Sequence, residues 1–169
     1  MAVLTPFSVK SIGEAVNGEL VMFAEEHGGD LAIKFGEDAY DYAFLAVLKT
    51  TETDSPHGSK VRKDAKCISY GVGWLIEIDP LKQYSYSQDI ADASGSIHLS
   101  EHGPLMRLGP NMRGGFQGTW LNLTTNEPAS HPYSAYATLN WRLWLDAKDR
   151  DNPKANPFLV FPPPAAVKP

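Results

Sequence analysis

Cysteine is nearly absent from this sequence: Cys67 stands alone among 169 residues. A single thiol excludes an internal disulfide framework and any metal site built from cysteines only. Long apolar runs are missing as well. No stretch approaches the ~18 residues that a membrane-spanning helix needs. The opening MAVLTPFSVKSIGEAV has no charged region followed by a long apolar one, so no secretory signal is expected. Basic charge is in short supply, with 15 Lys and Arg against 20 Asp and Glu and a net charge of −5. Such a chain repels phosphate backbones, so no nucleic-acid partner is expected. Its one basic cluster, Lys60 to Lys66, is interrupted by Asp64 and reads as a solvated loop or strand edge. These shortages point to a cytoplasmic protein with no membrane partner.

What is present suffices for a globular core. Hydrophobic residues make up 43% of the chain, and a chain of this length buries enough surface to fold without a metal or disulfide. We expect one domain over residues 1–161 and an extended proline-rich tail over 162–169. Val9, Ile12, Val16, Leu20, Phe23 and Ala24 recur at three- and four-residue steps, which predicts an N-terminal helix. Ser8 or Ser11 could cap its start, with Glu14 three residues after Ser11, and Gly28-Gly29 supply a stop. The period then changes. Leu31, Ile33 and Phe35 alternate, and after the turn Gly36-Glu37-Asp38 so do Tyr40 to Leu48, which predicts two paired strands. Further strands are expected over 69–79, with Val72, Trp74, Ile76 and Ile78 on one face, and over 96–100, 105–108 and 116–123. A long one follows over 133–146, bent or crossing a barrel. Its alternation sends Trp141 to the core and Trp144 to the outer face. Residues 82–95 show no period. The expected fold is α+β, predominantly antiparallel β as a sandwich or partly closed barrel, with the one N-terminal helix packed on the sheet.

Residues 98–102 read His-Leu-Ser-Glu-His, the H-x-x-E-H pattern in which two histidines of inverted zinc peptidases hold the metal. That chemistry needs a helix, so that both rings share a face. Gly95 on one side and Gly103-Pro104 on the other deny it. In a strand the two histidines stand roughly 13 Å apart, too far to share an ion. We expect no zinc here and claim no likeness to the peptidases. Instead His98, Ser100 and His102 are expected to share one strand face, either as surface polar residues on an edge strand or lining a pocket where a histidine could act as acid or base near neutral pH.

The next stretch, GPLMRLGPNMRGGFQG, sets Arg107 and Arg113 among five glycines. Glycines let backbone N–H groups approach an anion and arginine forks match it, although the stretch is not a phosphate-binding P-loop. Trp120, Tyr136 and Trp144 add aromatic surface nearby, and no motif demands a cofactor. Three function classes stay open: a small-molecule binding module with an aromatic-lined pocket or groove, using His98, His102, Arg107, Arg113, Trp120, Tyr136 and Trp144; a small enzyme with a histidine acid–base and an arginine anion clamp; and a self-associating protein. For the last, the apolar arm Phe158-Leu159-Val160-Phe161 follows a charged linker long enough to reach a neighbour, which would give a homodimer.

Overall fold

The computed structural model describes residues 7–25, 28–50, 55–78, 93–111, 116–131 and 136–162. Where the apolar spacing predicted a helix, the chain forms strand β1 (Ser8–Ser11), a 3-10 turn (Ile12–Glu14) and strand β2 (Leu20–Glu25). This corrects the expected fold class. The described residues are mostly antiparallel β in three sheets, and none of their helical turns is an N-terminal packing helix. Their one α-helix is the short α1 (Ala147–Arg150), and none is long and apolar enough to cross a membrane. The supposed stripe was not a stripe: Val9 is 68% and Val16 60% exposed, while Leu20, Val21 and Phe23 are all buried. A continuous apolar run covered on both faces is a strand signal that helical spacing mimics. Glu14 does cap Ser11, accepting from its N–H and its hydroxyl at 2.7 Å each, but the cap serves a single 3-10 turn.

After β2 come β3 (Gly28–Glu37), β4 (Tyr42–Lys49), β5 (His57–Arg62) and β6 (Lys66–Gly71). These strands form one sheet in the order β1-β6-β2-β3-β4-β5. The expected pairing of the strands around Gly36-Glu37-Asp38 is the β3–β4 ladder. In a flat sheet, β5 and β6 would stand four ladder steps apart, about 19 Å. Yet only Lys63, Asp64 and Ala65 join them, and the Ala65 N–H donates to the Arg62 carbonyl at 3.1 Å. The sheet must therefore roll until its two sides meet at this turn. The 3-10 segment plugs the roll: Ile12 N–H donates to Ala65 O and Gly13 N–H to Lys63 O, both at 2.8 Å. Ile12, Ala15, Val21, Phe23, Ala32, Leu45 and Cys67 fill the interior. At its end the buried Glu19 accepts from Lys10 Nζ at 2.6 Å, from the Ser69 hydroxyl, and from Val16 N–H at 2.8 Å. The buried Lys34 ammonium donates to the Ala15 carbonyl at 2.6 Å.

The opposite face of the rolled sheet packs on two smaller sheets. Strands β8 (Ile97–Ser100), β9 (Gly103–Leu108), β10 (Thr119–Asn122), β11 (Glu127–Ala129) and β12 (Ala137–Thr138) make one, ordered β11-β10-β9-β8-β12. Strands β7 (Leu75–Ile78), β13 (Trp141–Trp144) and β14 (Leu159–Phe161) make the other, ordered β14-β13-β7. Leu31, Ile33 and Phe35 meet Ile97, Met106, Leu121 and Trp141 in this core. Two expected long strands are interrupted. Residues 69–79 break at Gly71, whose φ is +79°, and residues 133–146 break at Leu139-Asn140, where the chain leaves one small sheet for the other. The apolar arm supplies β14, which pairs with β13, and the Phe161 ring stacks on Trp141 at 4.9 Å.

Candidate functional site

Three of the residues singled out from the sequence converge on the five-stranded sheet, on the face turned away from the core. The β9–β10 register sets Arg107 opposite Trp120, and His98 lies opposite Leu105 two positions along the same face. The His98 ring meets Trp120 edge-on at 4.6 Å, and the Arg107 guanidinium lies 5.4 Å from the Trp120 ring. His131, not among the residues singled out from the sequence, meets the same indole edge-on at 5.3 Å. Its signal was its place two residues past the strand that pairs with β10. His98 and Trp120 are themselves buried. These rings therefore tile the sheet with one another, a geometry that edge-to-face and cation–π contacts favour.

The other candidates go elsewhere. His98 and His102 do not share a strand face, because β8 ends at Ser100. The Ser100 hydroxyl donates to Gly103 O at 2.8 Å and accepts from His102 N–H at 3.2 Å. His102 is left in the turn, its side chain 79% exposed and its Nε2 3.5 Å from Glu101. Trp144 faces away from Trp141 as alternation required, but the outer face is covered there. It is only 6% exposed, and its indole N–H donates to Glu77 at 2.9 Å. That corrects the expectation of an outward tryptophan lining a groove. Tyr136 is exposed beside β12, and its carbonyl accepts from Leu99 N–H at 3.0 Å. Arg113 lies outside the described residues, as does most of the unpatterned stretch 82–95. Among the described residues no group of three or more His, Cys, Asp or Glu is placed to hold a metal.

Among the described residues a cleft opens on the other side of the five-stranded sheet. The cleft, of about 290 Å³, runs between β7, the β6–β7 connection and the inner-face pair Pro104 and Leu123. Val72, Trp74, Ile76 and Ile78, the alternating face read from the sequence, supply one wall, although Val72 and Trp74 lie in the β6–β7 connection and only Ile76 and Ile78 in β7. None of the sequence-predicted site residues lines it. Two polar features do. The Trp74 indole N–H donates to the Gly18 carbonyl at 2.7 Å. Asn126 sits in the β10–β11 hairpin at φ +57°, a left-handed position that asparagine tolerates. The side-chain oxygen of Asn126 is fully buried, and no donor of the described residues reaches it. No ionisable side chain is among the residues that line the cleft. No family model, no curated protein and no solved structure matches the chain.

Proposed function

We propose that the chain is a binding module for a small, neutral, largely apolar molecule seated in the cleft beside β7. The observation that supports this is the cleft itself, about 290 Å³ of preformed concavity walled by a tryptophan and aliphatic side chains. That volume stands at the lower edge of the roughly 300–1,000 Å³ range of ligand sites, which combine apolar walls with a few placed polar groups. A bound apolar molecule recovers roughly 25 cal/mol for each Å² of this wall that it covers. An uncharged lining favours binding over acid–base catalysis, which needs a titratable group within hydrogen-bond reach of its substrate.

The test is amide and methyl shift mapping of the ¹⁵N,¹³C-labelled protein against a set of neutral and charged fragments. Neutral fragments should move resonances of Val72, Trp74, Ile76 and Leu123. Shifts centred instead on Arg107, Trp120 and His131 would move the site to the opposite face of the sheet, and no saturable shift with any fragment would refute the binding reading.

A further inference from the structure

We infer that the cleft takes a short, extended, uncharged peptide segment, which adds a strand to the free edge of β7. The inference rests on the cleft being the binding site and names its ligand class. Along a strand, successive side chains point to opposite faces of the sheet. The β7–β13 register puts Ile76 and Ile78 on the face of Leu143 and Trp141, and Leu75 and Glu77 on the face of Trp144 and Arg142. Yet Leu75 lines the cleft together with Ile76 and Ile78. Only the edge of a strand is bordered by side chains from both of its faces, so the cleft runs along that edge.

Among the described residues the edge is unpaired. β7 is the outermost strand of its sheet, in the order β14-β13-β7. No backbone hydrogen bond of the described residues, besides the β13 ladder, reaches Leu75, Ile76, Glu77 or Ile78. In an antiparallel ladder alternate residues aim both N–H and C=O at one neighbour, so two of these four aim theirs out of the sheet. None of the four is fully buried. Such an edge is a template for another backbone, which is how extended peptides add to a sheet. The facing wall offers no substitute: Pro104 has no N–H, and its carbonyl already accepts from Leu123 N–H at 2.9 Å. The Trp74 indole N–H is spent on the Gly18 carbonyl at 2.7 Å. Backbone pairing therefore falls to β7, and the apolar walls receive the peptide's side chains. Pro104 and Leu123 stand across the cleft from the edge, so they hold off the whole sheet that a second copy of the chain would bring, while a single strand can enter. No ionisable side chain lines the cleft, which selects against charged residues in the segment.

N-methylation separates a paired strand from an apolar molecule lodged in the same place. The probe is the capped peptide Ac-Thr-Leu-Thr-Leu-Thr-NH₂, titrated into the ¹⁵N-labelled full-length protein, together with analogues methylated at one backbone nitrogen each. In an added strand only alternate N–H groups face β7. Methylating those should weaken binding about tenfold, while methylating the others should change it by less than about twofold. On the protein side, amides of alternate residues within Leu75–Ile78 should exchange more slowly with solvent once the peptide is bound. If the peptide does not bind, if all analogues bind alike, or if the slowed amides belong to another edge such as β1 or β11, the inference falls; the cleft then remains a binding site as long as neutral fragments still move Val72 and Trp74. If the β7 amides are slowed in the free protein at high concentration and released on dilution, the occupant is a second copy and the inference falls. If neither the peptide nor any neutral fragment binds, both the inference and the proposed function fall.

Discussion

Replacing Glu19 with glutamine tests how the rolled sheet is closed. The carboxylate is buried, and three donors converge on its two oxygens: Lys10 Nζ at 2.6 Å and the Ser69 hydroxyl on one, Val16 N–H at 2.8 Å on the other. Together they fasten the plugging segment to β2 and β6. Glutamine has the same shape but only one acceptor oxygen, so its NH₂ must face a donor. In the better orientation it faces Val16 N–H, and an unsatisfied donor costs about 1–3 kcal/mol. Neutralising the acceptor for Lys10 also weakens a charge-assisted bond, which is roughly twice as strong as a neutral one. Two effects reduce the total: the Lys10 side chain, 27% exposed, regains water, and glutamine escapes the carboxylate's desolvation. The net loss should be about 2–3 kcal/mol, or roughly 5–10 °C in the unfolding midpoint for a domain of this size. Asp64→Asn, in the exposed Arg62–Asp64 pair, should leave the midpoint where it is.

Acid gives the experiment its sharper form. Burial pushes the Glu19 pKa up, but hydrogen bonds from Lys10, Ser69 and Val16 outweigh it and hold the value below the ordinary 4.5. A depressed carboxylate contributes stability that is present above its unfolded-state pKa and lost as pH falls through its folded-state pKa. The gap between the unmodified protein and Glu19→Gln should therefore be full at pH 7 and narrow progressively below about pH 4.5. Thermal unfolding followed by circular dichroism at pH 7, 5, 4 and 3 measures it. A gap that is absent at pH 7, or one that stays constant down to pH 3, would refute this account of the closure.

The legible parts of the fold were those whose partners lie close in sequence. The β3–β4 pair announced itself through alternation on either side of a glycine-containing turn, and β8 through the breakers that denied it a helix. Leu20 to Phe23 misled because a strand buried on both faces has no period of its own, so stray apolar residues at 9, 12 and 16 completed a helical pattern by coincidence. The roll of the large sheet depends on β6 choosing β2 and β1 as neighbours rather than β5, a choice made by non-local packing. The break at Leu139-Asn140 carries neither glycine nor proline. Its only local sign is Thr138, whose hydroxyl accepts from Asn140 N–H at 3.0 Å.

The same rule sorts the sites. His98, Arg107 and Trp120 sit on three successive antiparallel strands, so their convergence follows from local register. Whether that face is open or tiled is a tertiary matter, and so is the cover over Trp144. The cleft assembles Gly18, residues of the stretch 72–78, and Pro104, Leu123 and Asn126, each blandly apolar or turn-like by itself. Asn126 lies in a polar hairpin loop, where asparagine is an expected turn former.

Three further outcomes test the packing. A Cβ on Gly58 would stand 1.9 Å from the Phe116 ring, whereas on Gly73 its nearest neighbour is 3.9 Å away; Gly58→Ala should cost about 1–3 kcal/mol by overpacking while Gly73→Ala is neutral, and equal midpoints in urea would contradict the contact. Cys67 is buried, and that burial, aided by the Glu19 carboxylate, pushes its thiol pKa up, so an aromatic disulfide reagent should label it only as fast as the protein opens; complete labelling of the native protein within seconds would oppose this. The two tryptophans of β13 separate the faces of the three-stranded sheet. Trp141→Phe removes a buried bond to the Gly95 carbonyl at 2.8 Å and opens space in the main core against Phe161. Trp144→Phe removes a bond to Glu77, whose side chain is 35% exposed and can turn to water. The first should cost about 2–4 kcal/mol and the second about 1. Truncating either to alanine should cost about 3–5 kcal/mol, since both are buried. If Trp144→Ala proved nearly silent, the outer face of β13 would be open after all, and Trp144 would return as a wall for a ligand.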